Sequence, residues 1–325
     1  MRSYIFRRLL KTIPLVFAIA TVTFFIVRLA PGDPFAQQLE QMAMRGLDPS
    51  GIELMREKLG LNDSLFVQYI SWLKDIATGD FGTSIRYGVP VSQLFAEAIP
   101  FTLILTSLAM LLDALIGIPL GIFAALKSGT TTERYITLIS LVLYSVPGFL
   151  IAILLISFFS VSLGWLPPSQ AVSFDYYDLS IWGRFVDRAQ HLILPVTVLG
   201  VFSAAGTARY VRNRLLDALS QDFVLAAKAR GHSNKTVVMG HALRTALLPL
   251  ITNYGMSLPY LLGGAAIIET IFAWPGMGKL AVDAVSMRDY PLIMAVTSMG
   301  AVLTILGTLL ADIFYAIADP RVRYD

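Results

Sequence analysis

Residues Arg209 to Pro249 read RYVRNRLLDALSQDFVLAAKARGHSNKTVVMGHALRTALLP, a polar and basic island set between two long apolar runs. Ser220 or Asp222 is placed to cap a helix start, DFVLAAKAR is helix-permissive, and Gly231 supplies a left-handed stop. Ser233 then caps a second helix that runs into the following apolar run through Leu247, with Pro249 bending its entry. The expected element is a short helix between two turns, held by the ends of two membrane spans. That is the geometry of a lever. Ala226 and Ala227 have almost no side-chain bulk, so a partner groove can approach the backbone, and Lys228, Arg230 and Arg244 offer charge across such a contact. The same residues also fit a solvated loop whose basic side chains merely obey membrane topology.

The chain around this island is that of a membrane protein. Of its 325 residues 56% are hydrophobic and 14% charged, with a mean hydropathy of +0.68 and no cysteine. A soluble domain carries about a quarter charged residues. The missing cysteines exclude a disulfide framework, thiolate metal sites and a Cys nucleophile. The formal charge of +3 is mostly topological asymmetry; no basic, aromatic-bearing soluble face suggests nucleic acid.

A transmembrane helix needs roughly 20 apolar residues, and six runs meet that need: Thr12–Val27, Ala98–Leu126, Tyr135–Leu163, Ala189–Ala208, Thr245–Ile268 and Tyr290–Ala311. The start, MRSYIFRRLLKTIPLVF, has the charged and apolar regions of a signal peptide, but no small-x-small cleavage site follows, so it reads as a retained first span. Arg2, Arg7, Arg8, Lys11, Lys127, Arg134, the island's basic residues, Arg321 and Arg323 all fall on the side that holds both termini, which makes that side cytoplasmic. The chain therefore divides into 1–29, a tail and first span; 30–97, an extracytoplasmic helical segment; and 98–325, five further spans with the loop 209–249.

In segment 30–97, Asp48-Pro49-Ser50 is placed to cap a helix ending at Gly60. Ser64 caps a second one whose Phe66, Tyr69, Ile70, Leu73 and Ala77 form an apolar stripe. The segment is either a cap packed on the membrane surface or a docking platform. Gly117 and Gly121 bracket Pro119 at a spacing that permits close helix approach. Ser145-Val146-Pro147-Gly148 is expected to break the third span, and Trp165, Phe174, Tyr176, Tyr177 and Trp182 fit an interfacial aromatic belt. Trp274-Pro275-Gly276-Met277-Gly278 reads as a turn at the outer interface, either an ordinary tight connection or the shaping of an outer gate.

Catalytic patterns are missing. Gly276-Met277-Gly278-Lys279 is only faintly a phosphate loop, because Ala273 stands where a glycine is needed and Leu280 where a Ser or Thr would hold magnesium. His191, His232 and His241 are too far apart for a local metal motif, and neither HExxH nor GxSxG occurs. The intramembrane acids are Asp113 and Asp312, the latter near the cytoplasmic end. Asp113 either lines a wet pathway or satisfies a neighbouring helix.

Ala226-Ala227 followed by Gly231 resembles the EAA loop of permease subunits in ATP-binding-cassette (ABC) importers, whose short helix docks in a cleft of a cytoplasmic ATPase. Leu225 stands where the motif has Glu, and the spacing from Gly231 to Pro249 is long. Both departures resemble the peptide branch, as does His241-Ala242-Leu243-Arg244. Nearly the whole chain is similar to oligopeptide/dipeptide (peptide/nickel) permease subunits. The matching stretches are Pro31-Gly32-Asp33-Pro34, LGLNDSLFVQYISWLKDIATGDFGTS from Leu59 to Ser84, Glu269, Phe272, Pro275-Gly276-Met277-Gly278 and Arg288-Asp289-Tyr290-Pro291. Met294-Ala295 departs from the expected polar-glycine pair.

The resemblance implies an all-α integral membrane protein with six transmembrane helices and cytoplasmic N and C termini, similar to type I ABC importer permeases, in a bacterial or archaeal plasma membrane. It implies a non-catalytic subunit that works with a second related permease chain, two cytoplasmic ATPase subunits binding ATP and Mg, and an extracytoplasmic substrate-binding protein. By the same resemblance Asp222, Ala226, Ala227, Lys228, Arg230, Gly231 and Arg244 couple to the ATPase. Asp113, Glu269, Pro275, Gly276 and Gly278 belong to the pathway or its gate. No metal or cofactor is expected in this chain. Members of the family import dipeptides, oligopeptides, glutathione or nickel complexes. The rival readings are a secondary transporter or channel without an ATPase partner and a membrane scaffold.

Overall fold

The computed structural model describes residues 2–29, 35, 39, 44, 48, 50–58, 60–256 and 265–318, and these are predominantly helical. Among them the β pairing is an isolated bridge between Thr83 and Pro90. Pro31-Gly32-Asp33-Pro34, the centre of the fifth expected span and the residues after Ala318 lie outside the described residues, as does the side chain of Asp312.

Helix α1 spans Arg2–Leu29, with its apolar part at Pro14–Leu29. Among the described residues that follow are the short helices α2 at Ser50–Lys58 and α3 at Leu65–Ala77. Asp48 accepts from Ser50 N at 3.0 Å and from Ser50 Oγ, and these bonds hold its carboxyl below the usual carboxylate range. The α3 stripe divides. Tyr69 and the neighbouring Trp72 pack on Phe24 of α1, and Tyr69 Oη bonds Thr21 Oγ1 at 2.7 Å, while Phe66 and Ile70 stay exposed. Ser64 precedes α3 but makes no side-chain cap bond.

Helices α4 (Val91–Leu126) and α7 (Ile181–Leu219) are both long and apolar enough to cross a bilayer, as is Tyr290–Leu309 within α13 (Tyr290–Ala318). Between α4 and α7 lie α5 (Thr131–Ser145) and α6 (Gly148–Leu155), the latter continued by a π-helical turn to Ser162. The α5 and α6 segments meet at 92°. Val146-Pro147 causes that bend, because proline removes a donor and disfavours α geometry in the residue before it. The expected third span is thus a broken one.

The α4–α7 pair is the densest packing in the fold. A Cβ on Gly117 would lie 2.8 Å from Thr207 Cβ, one on Gly121 2.5 Å from the Ala208 carbonyl, and one on Gly200 2.8 Å from the Ala109 carbonyl. Three glycines from two helices thus bring the backbones together, the close approach that small residues permit in membranes. Arg212 of α7 pairs with Glu133 of α5 at 2.7 Å near the same end of the pair.

After α7 come α8 (Asp222–Ala229), a single turn α9 (Asn234–Thr236), a π-helical turn at Val237–Ala242 and α10 (Leu243–Met256). Among the described residues that follow are α11 (Ala266–Ile271), α12 (Met277–Ser286) and α13. Helix α10 packs chiefly on α13, and α13 on α1. Of the expected aromatic belt, Trp165, Phe174, Tyr177 and Trp182 are exposed. Tyr176 is instead buried beneath Arg184 and Arg188, whose guanidinium carbons lie 5.7 and 5.1 Å from its ring centre.

Candidate functional site

Two sites emerge, one at each end of α4. The first is built on α8. Ser220 ends α7 and donates its hydroxyl to the Asp217 carbonyl at 2.8 Å, so it does not start α8. The N-cap is Gln221, without a side-chain bond, and Asp222 is the first helical residue. This corrects the expected cap, and the reason is that α7 runs on to Leu219 and consumes Ser220 as its own terminus. Asp222 in the first turn and Lys228 in the last still complement the helix dipole.

Gly231 closes α8 as expected. Its φ is +82°, its N–H donates to the Lys228 carbonyl at 2.9 Å, and His232 N–H donates to the Ala227 carbonyl at 3.3 Å. Those two bonds together are the Schellman ending. Ser233 Oγ accepts from Thr236 N at 3.2 Å and so starts the next helix.

The faces of α8 separate the two alanines. Val224 and Ala227 are buried against Leu215, Ala218, Val237, Ala242 and Leu243, whereas Ala226, Lys228, Arg230 and Asp222 are exposed and Leu225 is 69% exposed. Ala227 therefore seats the helix on its own protein; Ala226 with Leu225 is what a partner can touch. Arg244 is also exposed. The chain fold further brings His232 and His241 together, with ring centres 5.7 Å apart, although they looked too distant in the sequence. His191 lies elsewhere, on α7, with Nδ1 2.8 Å from the Asp187 carbonyl.

The second site is the loop between α11 and α12. Glu269 is 0% exposed. Its Oε1 accepts from Thr102 Oγ1 at 2.7 Å and its Oε2 from Lys279 N at 2.9 Å, with Gly278 N a further donor. Thr102 Oγ1 in turn accepts from Met277 N at 2.8 Å. The carboxylate thus sits on the N-terminus of α12, where unpaired N–H groups favour an anion. Gly276 is required here because a Cβ would collide with Glu269 Oε1 and Thr102 Oγ1; at Gly278 it would lie 2.5 Å from Ala266 Cα. Pro275 is exposed at the tip. Trp274 is buried, with Nε1 donating to the Phe101 carbonyl at 3.0 Å.

A second buried carboxylate, Asp289, accepts from Ser84 Oγ, from Arg86 N at 3.0 Å and from Leu292 N at 3.3 Å. It ties the start of α13 to the segment before α4. Asp113 stands apart from the loop, 5% exposed, with Oδ2 accepting from Tyr254 Oη at 2.7 Å and Thr207 Oγ1 at 3.2 Å. These bonds tie α4 to α7 and α10. Nothing in the sequence singled out Thr102, Thr207 or Tyr254, since a lone hydroxyl in an apolar run carries no pattern.

The described residues thus hold apolar helices long enough to cross a bilayer, with a short helix at one end of α4 and a carboxylate-braced loop at the other. Residues 117–324 match the family described as "Binding-protein-dependent transport system inner membrane component", and residues 1–106 match its N-terminal counterpart. The chain is 42% identical to the oligopeptide transport system permease protein AppB of Bacillus subtilis, over all of both chains. It is 39% identical to the di/tripeptide transport system permease protein DppB of Pseudomonas aeruginosa, over all of this chain and 99% of that one. It is 37% identical to the glutathione transport system permease protein GsiC of Salmonella choleraesuis, over all of both. This chain belongs to the family of binding-protein-dependent transport system inner membrane components.

Proposed function

We propose that the chain is the transmembrane permease subunit of an ATP-driven importer and forms half of the translocation pathway for di- or oligopeptides. The observation that carries this reading is full-length similarity to oligopeptide and di/tripeptide permease proteins. The outward face of α8, with Leu225, Ala226 and Lys228, supports it as the surface offered to an ATPase. In this reading the chain spans a bacterial or archaeal plasma membrane six times with both termini cytoplasmic. It works with a second related permease, two ATPase subunits that bind ATP and Mg, and an extracytoplasmic binding protein.

The substrate path runs between the two permease chains. Asp222, Lys228, Arg230, Gly231 and Arg244 belong to the coupling surface, and Glu269, Pro275, Gly276 and Gly278 brace the outer gate. ATP-driven closure of the motors shifts α8 and moves the population from inward-facing toward outward-facing, as differential binding requires. The test is reconstitution of the chain with its partners in liposomes, where ATP-dependent accumulation of a labelled peptide is expected. Uptake without any ATPase would establish a secondary transporter instead. Similarity to a glutathione permease favours glutathione as a second cargo to assay, with nickel complexes as a further arm.

A further inference from the structure

Two of the polar contacts that α4 makes with its neighbours lie on one face, since Asp113 and Thr102 are about three turns, or roughly 16 Å, apart. Asp113 receives Tyr254 of α10, and Thr102 holds Glu269 and the first N–H of α12. Among the described residues α10 packs on α13 and touches α7, with little backbone approach to α4. Among the described residues the hydroxyl of Tyr254 makes the hydrogen bond from α10 to α4. Helix α10 also continues directly from the π-helical turn at Val237–Ala242, on which Val224 and Ala227 seat α8. Val224 and Ala227 also rest on Leu215 and Ala218 of α7, so α10 is one of two connections from α8 to the α4–α7 body, and it is the one that ends at a carboxylate.

That carboxylate has a spare position. Both donors reach Oδ2, while among the described residues Oδ1 is buried without a hydrogen-bond partner. A buried acceptor left open calls for an explanation. We infer that Asp113 is a positioning residue that couples α8 to the outer loop: Tyr254 Oη moves between Oδ2 and Oδ1 as α10 shifts, and α4 carries the displacement to Thr102 and Glu269. Two acceptor positions on one carboxylate give the contact two discrete arrangements, which transmission between distant sites needs.

The inference rests on the importer reading, and its test separates the two. In the reconstituted transporter, peptide imported per ATP hydrolysed is measured for the wild type, Tyr254→Phe, Asp113→Asn, Asp113→Leu and the Asp113→Leu/Tyr254→Phe pair. Tyr254→Phe, which deletes only the hydroxyl, is expected to lower that ratio at least threefold while ATP hydrolysis continues. Asp113→Asn keeps one acceptor oxygen and is expected to fall between wild type and Asp113→Leu. The double variant should be no worse than Asp113→Leu alone, because both changes remove one contact. A wild-type ratio in Tyr254→Phe, or additive losses in the pair, overturns the inference. Absence of ATP-driven uptake in the wild type overturns the importer reading instead.

Discussion

Thr102 and Glu269 are joined by a 2.7 Å hydrogen bond between fully buried side chains, one on the long helix α4 and the other on α11, just before the loop to α12. The bond makes the loop part of the helix pair beneath it. It also fixes what each residue is for: Thr102 orients the carboxylate, and the carboxylate closes the N-terminus of α12.

Replacing Glu269 by Ala strands Thr102 Oγ1 and Lys279 N in a buried site. Unmet buried groups cost about 1–3 kcal/mol each, so the detergent-purified protein should melt at a clearly lower temperature. Glu269→Gln retains one acceptor and should lose less. An unchanged melting temperature in Glu269→Ala would refute the bracing role.

Gly276→Ala places a methyl against Glu269 Oε1 and Thr102 Oγ1, whereas Gly51→Ala meets nothing within 4 Å. The first should destabilise by about 1–3 kcal/mol, the usual range for overpacking, and the second should be close to neutral. Equal melting curves for the two variants would show that the loop has room to give.

The two faces of α8 predict opposite phenotypes. Leu225→Glu and Ala226→Glu should abolish copurification of the ATPase with little change in the melting temperature, because both positions are exposed. Ala227→Glu forces a charge into the cluster of Leu215, Val224 and Val237, so it should unfold the permease's own end. Normal ATPase binding by Leu225→Glu would remove α8 from the coupling surface.

Arg212 and Glu133 are 2.7 Å apart and mostly buried. A double-mutant cycle with Arg212→Met and Glu133→Gln should give a coupling of about 1–2 kcal/mol, between the values for exposed and buried pairs. Zero coupling would mean that the contact is incidental.

Membrane orientation is checked by labelling. A cysteine placed at exposed Lys235 should resist an impermeant reagent added to sealed cells and react after permeabilisation. Ready labelling from outside would invert the topology proposed from the basic residues.

Much of this was legible in the sequence because it rests on local rules. Gly231 announces a left-handed helix stop, Ser233 a cap, and Val146-Pro147 a break, and the structure has each of them. Gly117 and Gly121 signalled a tight helix pair, although their partner α7 and the third glycine, Gly200, were not visible. The N-cap of α8 was misplaced because the length of α7 depends on packing beyond the membrane run.

What the sequence determined by itself is the membrane class and the short helix within the basic island, since hydropathy and turn chemistry act along the chain. Tertiary structure decided the rest. It turned Ala227 inward and left Ala226 out, paired Glu269 with Thr102, and set Tyr254 against Asp113. Those contacts join residues far apart in sequence, and a hydrogen bond of under 3 Å depends on how helices rotate about their axes and cross, which no local pattern encodes.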